Sequence, residues 1–137
     1  MKTVIFACIH NAGRSQMAAA FFNLLVDSTK ATGISAGTEP ANKIHPEVMI
    51  AMEALGIDLS RAKPNKLTDE LARTANLLIT MGCGEKCPFV PGLEVIDWQL
   101  EDPKNQPFPK VIEIRDQIKT KVLELIDSRK WSKPEDH

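Results

Sequence analysis

The chain has no surplus of charge of either sign. Its 137 residues carry 17 basic and 18 acidic side chains, a formal net charge of −1. With no long basic run either, there is no electrostatic basis for binding nucleic acid or a membrane surface. No apolar stretch is long enough to cross a bilayer, and the longest, Met17 to Val26, is interrupted by Asn23. The start of the chain, Met1-Lys2-Thr3-Val4-Ile5-Phe6-Ala7, has one charge and too short an apolar run for a secretory signal, so a cytoplasmic location is expected. There is no internal repeat, low-complexity tract or linker-like stretch. The length predicts one domain over residues 1–137. Cysteine is scarce, three in all. In a reducing compartment, three thiols suit chemistry better than structural bridges, and an odd number leaves at least one unpaired.

What is present is an alternation of strand-like and helix-like segments. Thr3-Val4-Ile5-Phe6-Ala7 is apolar on both faces, as a buried parallel strand requires. Arg14 to Ser28 reads as a helix with Met17, Ala18, Phe21, Leu24, Leu25 and Ser28 on one face. A short strand, Gly33 to Gly37, precedes a helix from Pro46 to Leu55 with Val48, Met49, Met52 and Leu55 inward and Gly56 as its stop. Thr68 is placed to cap a helix running to Thr74. Leu77 to Met81 and Leu93 to Asp97 are further strands. Pro109 to Ser128 is a closing helix whose candidate core positions are Ile112, Ile114, Ile118, Val122, Leu123 and Leu125. The tail from Lys130 to His137 is polar and is expected to fray. This order predicts an α/β fold: a single parallel sheet with right-handed crossovers and helices on both faces. Ligands in such folds bind beyond the carboxyl ends of the strands.

Two cysteine-bearing segments follow predicted strands. The first is Cys8-Ile9-His10-Asn11-Ala12-Gly13-Arg14-Ser15. Between a strand end and a helix start, the chain must turn tightly, so that successive N–H groups of Ile9 to Ser15 can face one concavity and hold a tetrahedral anion. Gly13 removes a Cβ that would crowd the turn, and Asn11 tolerates left-handed backbone angles. The Arg14 fork matches two oxygens of such an anion, and the Ser15 hydroxyl can donate to sulfur. Surroundings of this kind bring cysteine from ~8.5 to roughly 3.5–7.5, so Cys8 is predicted to be largely thiolate, a nucleophile at the floor of the oxyanion cradle. The plainer alternative is a buried structural cysteine that ends a strand.

The second segment is Gly82-Cys83-Gly84-Glu85-Lys86-Cys87-Pro88. One helical turn apart, the two Cα atoms would lie roughly 6 Å from each other, inside the disulfide range. Lys86 could help ionise a neighbouring thiol. Two unrelated loop cysteines remain an alternative. A metal site is a poor fit, because this spacing needs two further ligands and the chain has only three scattered histidines.

The pattern Cys-x(5)-Arg-Ser near the start resembles the low-molecular-weight protein tyrosine phosphatase superfamily. Within it, Asn11-x-x-Arg14-Ser15-Gln16-Met17-Ala18 is similar to the thioredoxin-coupled arsenate reductases, whereas the phosphatase branch usually has proline where this chain has Gln16. The resemblance continues through Ser35-Ala36-Gly37, the strand to Met81, the two later cysteines, and Asp97-Trp98-Gln99-Leu100-Glu101-Asp102-Pro103. It implies a phosphatase-like scaffold that reduces arsenate to arsenite without flavin, nicotinamide or metal, competing oxyanions being phosphate and sulfate. It also implies roles. Cys8 attacks arsenic, Cys83 attacks Cys8, and Cys87 resolves that bond, after which thioredoxin reduces the enzyme. A shorter spacer separates Cys83 from Cys87 than in well-known members. The resemblance assigns the general acid to Asp102 of the Asp-Pro pair; on the residues alone, Asp102 reads as a turn residue. Asp97 and Glu101 are expected to face solvent or to cap.

The remaining candidates have simpler readings. The His10 ring is expected to be mostly exposed, His45 to sit at a helix entry, and His137 in the tail. Some members of the resembled family bind potassium through Asn, Ser and two carboxylates; here Asn11 and Ser35 are present, but Ala19 and Asn65 stand at the acidic positions, so no strong site is expected. Three functions stay open beside the main reading. A phosphatase would need only Cys8, Arg14 and Asp102; the chain's lack of tyrosine and the polar Lys104-Asn105-Gln106 after Pro103 argue against phosphotyrosine as its substrate. A reductase could use mycothiol or glutathione. An oxyanion-binding regulator would have no use for three cysteines.

Overall fold

The computed structural model describes residues 1–82 and 90–134. Four strands form one parallel sheet in the order β2-β1-β3-β4, with β1 (Lys2–Cys8), β2 (Ala31–Gly37), β3 (Leu77–Thr80) and β4 (Glu94–Asp97). The apolar run in β1 is explained by burial on both faces. Val4, Phe6 and Cys8 join one cluster, and Ile5 and Ala7 the other. The first cluster is covered by α1 (Arg14–Leu25), α2 (Pro46–Glu53) and α4 (Phe108–Ser128), which contribute Met17, Phe21, Phe22, Met52, Ile114 and Ile118. Phe6 lies at its centre, with ring centroids 5.4 Å from Phe22 and 5.8 Å from Trp98. The second, smaller cluster takes Ala72 from α3 (Asp69–Arg73). Helices thus cover both faces of the sheet, as the alternation of segments predicts.

Several boundaries and faces differ from expectation. Helix α1 stops at Leu25, not Ser28, because Val26 turns extended and bridges to Ser132. It buries Phe22 while Leu24 is 52% exposed, since α1 packs against the sheet and against α4 at once and so buries a wider arc than one stripe. In α2 the inward residues are Val48, Ala51 and Met52, whereas Leu55 lies past the helix end and is exposed. Gly56 does end that segment, at φ 77°, a left-handed angle suited to glycine. In α4, Ile114, Ile118, Val122 and Leu125 are buried as expected, joined by Val111 and Ile126, but Ile112 is half-buried and Leu123 exposed. Buried Arg115 ties α4 to α2 by donating to the Ala51 carbonyl at 2.8 Å. Thr68 caps α3, its hydroxyl oxygen accepting from the Leu71 N–H at 3.1 Å.

Within the described residues, the tail is held by contacts as far as Lys133, where fraying is expected from its polarity. Trp131 packs edge-on against Phe22 at 6.0 Å, and its carbonyl accepts from the Asp27 N–H at 2.8 Å. Lys133 donates to the Leu24 carbonyl. An aromatic ring that can reach a core ring outweighs the polarity of its neighbours. Among the described residues, no helix is long and apolar enough to cross a membrane.

The register aligns the strand ends. Cys8 pairs with Gly37, Ala7 with Thr80, and Thr80 with Asp97. The segments leaving β1, β2, β3 and β4 therefore all emerge at one edge of the sheet, where the candidate site lies.

Candidate active site

The loop from Cys8 to Gly13 is held by its carbonyls. Those of Cys8, Ile9 and His10 accept from the N–H groups of Thr38, Glu39 and Ala41, at 3.3, 2.8 and 2.9 Å. The Ala12 carbonyl accepts from His45 N–H at 3.0 Å, and the Asn11 carbonyl accepts from the Gln16 side-chain amide at 3.1 Å. In a trans peptide the carbonyl and the following N–H point in opposite directions, and every described peptide is trans. With their carbonyls turned outward to the 38–45 segment and Gln16, these peptides turn the N–H groups of Ile9, His10, Asn11, Ala12 and Gly13 inward. Arg14 and Ser15 then open α1, whose first N–H groups have no partner within the helix. Gly13 caps α1 with no side-chain acceptor for those N–H groups. Inward N–H groups before a helix N-terminus form a cradle of the kind that suits an anion.

Two glycines make the turn possible. A Cβ on Gly37 would lie 2.6 Å from the Ile9 carbonyl oxygen, so only glycine lets β2 end beneath the loop. A Cβ on Gly13 would lie 3.0 Å from Pro103 Cγ, so glycine lets the Asp102-Pro103 turn close over the cradle. Asn11 takes φ 51°, the left-handed angle expected of it.

Cys8 Sγ sits at the floor, with the residue 3% exposed. It accepts from the Asn11 N–H at 3.3 Å and lies 2.8 Å from Ser15 Oγ. The Asn11 carboxamide donates to that same Ser15 oxygen at 2.6 Å. Cys8 is thus buried, yet it faces the polar concavity as well as the core; the purely structural reading does not account for the two contacts on its sulfur.

Arg14 is at the rim, its side chain only 11% exposed. It donates to the Leu100 carbonyl at 3.1 Å and lies 3.7 Å from an Asp102 carboxylate oxygen. Gly82 packs beneath it: a Cβ there would stand 2.9 Å from Arg14 Nη1, and φ is 90°. Asp102 is half exposed, and its other oxygen accepts from Lys104 N–H at 3.0 Å. The other two acids turn elsewhere. Glu101 pairs with Lys110 at 2.9 Å, and Asp97 accepts from Thr80 at 2.7 Å and from Gln99. Cys83 and Cys87 lie outside the described residues, as does His137.

His10 is half-buried, more than expected, because its Nδ1 lies 3.0 Å from the Glu39 carbonyl oxygen. His45 does precede α2, and its ring edge lies beside Gly13. Burial pushes the His45 imidazole below its ordinary value, against the opposing pull of Asp102 and Glu47. Sequence reasoning named Gln16 as a mark of the resemblance and Asn65 at a position acidic in potassium-binding relatives, but missed that both bond Asn11. The Gln16 amide donates to Asn11 Oδ1 at 3.0 Å, and the Asn65 N–H to the same oxygen at 2.8 Å. These donors also bear on potassium: the Asn11 oxygen faces two N–H groups, and Ala19 and Asn65 carry no carboxylate, so the residues present do not fit that cation.

Known proteins share this arrangement of chain. The profile of the family described as low molecular weight phosphotyrosine protein phosphatase matches residues 3–133. A protein of Synechocystis sp. named glutaredoxin arsenate reductase is 36% identical over 129 residues, covering 92% of this chain and 97% of its own. A solved thioredoxin-dependent arsenate reductase of Corynebacterium glutamicum is similar at a TM-score of 0.80 and 38% identity, over 95% of this chain. The chain spans only 62% of that protein's length. A solved arsenate reductase in its phosphate-binding state matches at a TM-score of 0.80 and 34% identity, over 93% of this chain and 98% of that one. The sulfur-floored cradle, the Arg14 rim and the match across nearly all of its length lead to one conclusion: the chain belongs to the low-molecular-weight phosphotyrosine protein phosphatase family.

Proposed function

We propose that this protein reduces arsenate to arsenite, with electrons supplied by its own thiols and then by an external dithiol protein of the thioredoxin class. The observation that carries the reading is the Cys8 sulfur at the floor of the cradle, bonded by the Asn11 N–H and set 2.8 Å from Ser15 Oγ. A tetrahedral oxyanion seated on the inward amides presents its central atom to that sulfur. Arg14 holds two of its oxygens, in exchange for its contact with Leu100.

In the first step Cys8, as thiolate, attacks arsenic and displaces one oxygen. Asp102 supplies the proton with which that oxygen leaves as water. Cys83 thiolate then attacks Cys8 Sγ. The Cys8–Cys83 bond forms, the sulfur–arsenic bond breaks, and its electron pair reduces arsenic from the pentavalent to the trivalent state. Arsenite departs. Cys87 attacks Cys83, freeing Cys8 and leaving a Cys83–Cys87 disulfide. The external dithiol takes up that disulfide and returns the two electrons, so no flavin, nicotinamide or metal enters the cycle. Such thiol traffic suits the reducing cytoplasm.

Support for the reductase over a simple phosphatase comes from the names of the similar proteins and from three cysteines where hydrolysis would use one. The reductant of the relatives differs, glutaredoxin in one name and thioredoxin in another. Turnover of arsenate in a thioredoxin-coupled assay tests the reading. Cys83→Ser and Cys87→Ser should each abolish multiple turnover. A phosphatase would keep full phosphate-ester hydrolysis in both variants and show no arsenate turnover in the parent. Turnover sustained by glutaredoxin, glutathione or mycothiol but not by thioredoxin would reassign the reductant.

A further inference from the structure

The proposed chemistry uses the backbone of the nucleophile loop, Cys8, Arg14 and Asp102, and gives no task to the buried side chain of Gln16 beside them. Gln16 is 4% exposed. Its side-chain nitrogen reaches three oxygens: the Asn11 carbonyl at 3.1 Å, Asn11 Oδ1 at 3.0 Å and the Lys63 carbonyl at 3.1 Å. One amide thus joins the nucleophile loop to a segment far along the chain.

The chemistry of amides gives this junction a direction. Asn11 Oδ1 accepts from Gln16 and from the Asn65 N–H, so the oxygen side of the Asn11 carboxamide is turned to those donors. Its nitrogen is thereby turned the other way, where it donates to Ser15 Oγ at 2.6 Å. Ser15 has one hydroxyl proton. With its oxygen already accepting, that proton is free to point at Cys8 Sγ, 2.8 Å away. Gln16 also bonds the carbonyl of Asn11, the residue at φ 51° whose own N–H meets the sulfur. A single side chain therefore holds both arms that reach the nucleophile: the backbone arm through Asn11 N–H, and the side-chain arm through Asn11 and Ser15.

We infer that Gln16 is a positioning residue for the nucleophile, acting through Asn11 and Ser15 to aim two hydrogen-bond donors at Cys8 Sγ. The inference rests on the reading of Cys8 as the attacking group, but its test needs no arsenate. Both donors favour the anionic form of a sulfur. Losing their alignment should therefore move the reactivity of Cys8 to higher pH.

The test uses the full chain carrying Cys83→Ser and Cys87→Ser, so that iodoacetamide alkylation reports Cys8 alone. The rate is followed against pH for Gln16→Met, which keeps length and loses both donors, for Ser15→Ala, and for the two together. The expected result is a Gln16→Met profile displaced upward by about one pH unit, so that alkylation at pH values well below the parent's midpoint slows about tenfold. In the Ser15→Ala background the further effect of Gln16→Met should shrink, because the side-chain arm is already cut. An unchanged profile, even with lowered thermal stability, would overturn the inference and leave Gln16 a structural tie. Full additivity with Ser15→Ala would overturn the route through Ser15. Should Gln16→Met not fold, the same pH profile of Gln16→Ala decides: a profile displaced upward supports the clamp, and the parental profile refutes it. An arsenate assay separates the two levels of the account. A parent that turns over arsenate with no Gln16 effect rejects the clamp alone; a Gln16 effect in a parent that never reduces arsenate rejects the reductase alone.

Discussion

Arg14 and Asp102 meet at 3.7 Å at the mouth of the cradle, one from the first turn of α1 and the other from the segment between β4 and α4. Both lie beyond the carboxyl ends of the parallel strands, where the register brings separate loops together. The proposed mechanism needs an arginine for the anion beside a carboxylic acid for the departing oxygen, and the 3.7 Å separation is compatible with that pairing. Asp102→Asn should lower the rate of the arsenate-dependent step by about a hundredfold or more, with little change in affinity for phosphate as a competing anion. Arg14→Lys should act on affinity as well as rate, since a point charge cannot replace a fork. Single-turnover kinetics with phosphate inhibition separates the two.

Gly82 gives a second prediction. Its φ of 90° is open to glycine and costly for other residues, and an added Cβ would strike Arg14 Nη1 at 2.9 Å. Gly82→Ala should cost about 1–2 kcal/mol of stability and weaken phosphate binding by displacing the guanidinium. Gly56→Ala is the control. Its φ is 77°, but nothing lies within 4 Å of the added atom, so stability should fall while anion binding stays at the parental value. Calorimetric melting together with phosphate titration reads both.

Much of this site is legible in the sequence, because the loop from Cys8 to Ser15 is local: its strand, its turn residues and its helix start lie within one short stretch. Thr68 and Gly56 are legible for the same reason, each acting on neighbours a few residues away. What escapes sequence reasoning is long-range. Gln16 is legible as a mark of the family resemblance, but its bonds to Asn11 and to the Lys63 carbonyl are not, because Lys63 lies far along the chain. Leu24 satisfies the helical period as well as Phe22 does, and only the double packing of α1 decides between them. Trp131 sits in a polar tail whose composition gives no sign of the Phe22 ring it meets.

That contact yields a third prediction. Trp131→Ala should destabilise the fold by about 2 kcal/mol, through lost apolar burial and the edge-to-face pair, without altering Cys8 alkylation, since the ring lies at the other end of α1. Chemical denaturation measures the first effect and alkylation rates the second.

His45 supplies a pH dependence. Burial holds its folded-state value below the ordinary 6.5, so the unfolded chain binds the proton more readily. Stability should therefore fall as pH drops through the interval below 6.5 and be free of this cost above it. Asp102 and Glu47 oppose the shift, while Lys104 and His10 reinforce it, so the effect should be sensitive to Asp102→Asn. On going from pH 7.5 to pH 5, the denaturation midpoint of the parent should fall by more than that of His45→Gln.

The relay from Cys8 to Cys83 and Cys87 is tested most directly by one equivalent of arsenate added to the fully reduced protein with no reductant present. Peptide mapping by mass spectrometry should then find Cys83 and Cys87 joined, Cys8 free, and one arsenite formed per chain, with none of this in Cys8→Ser. Three untouched thiols and unreduced arsenate would contradict the account.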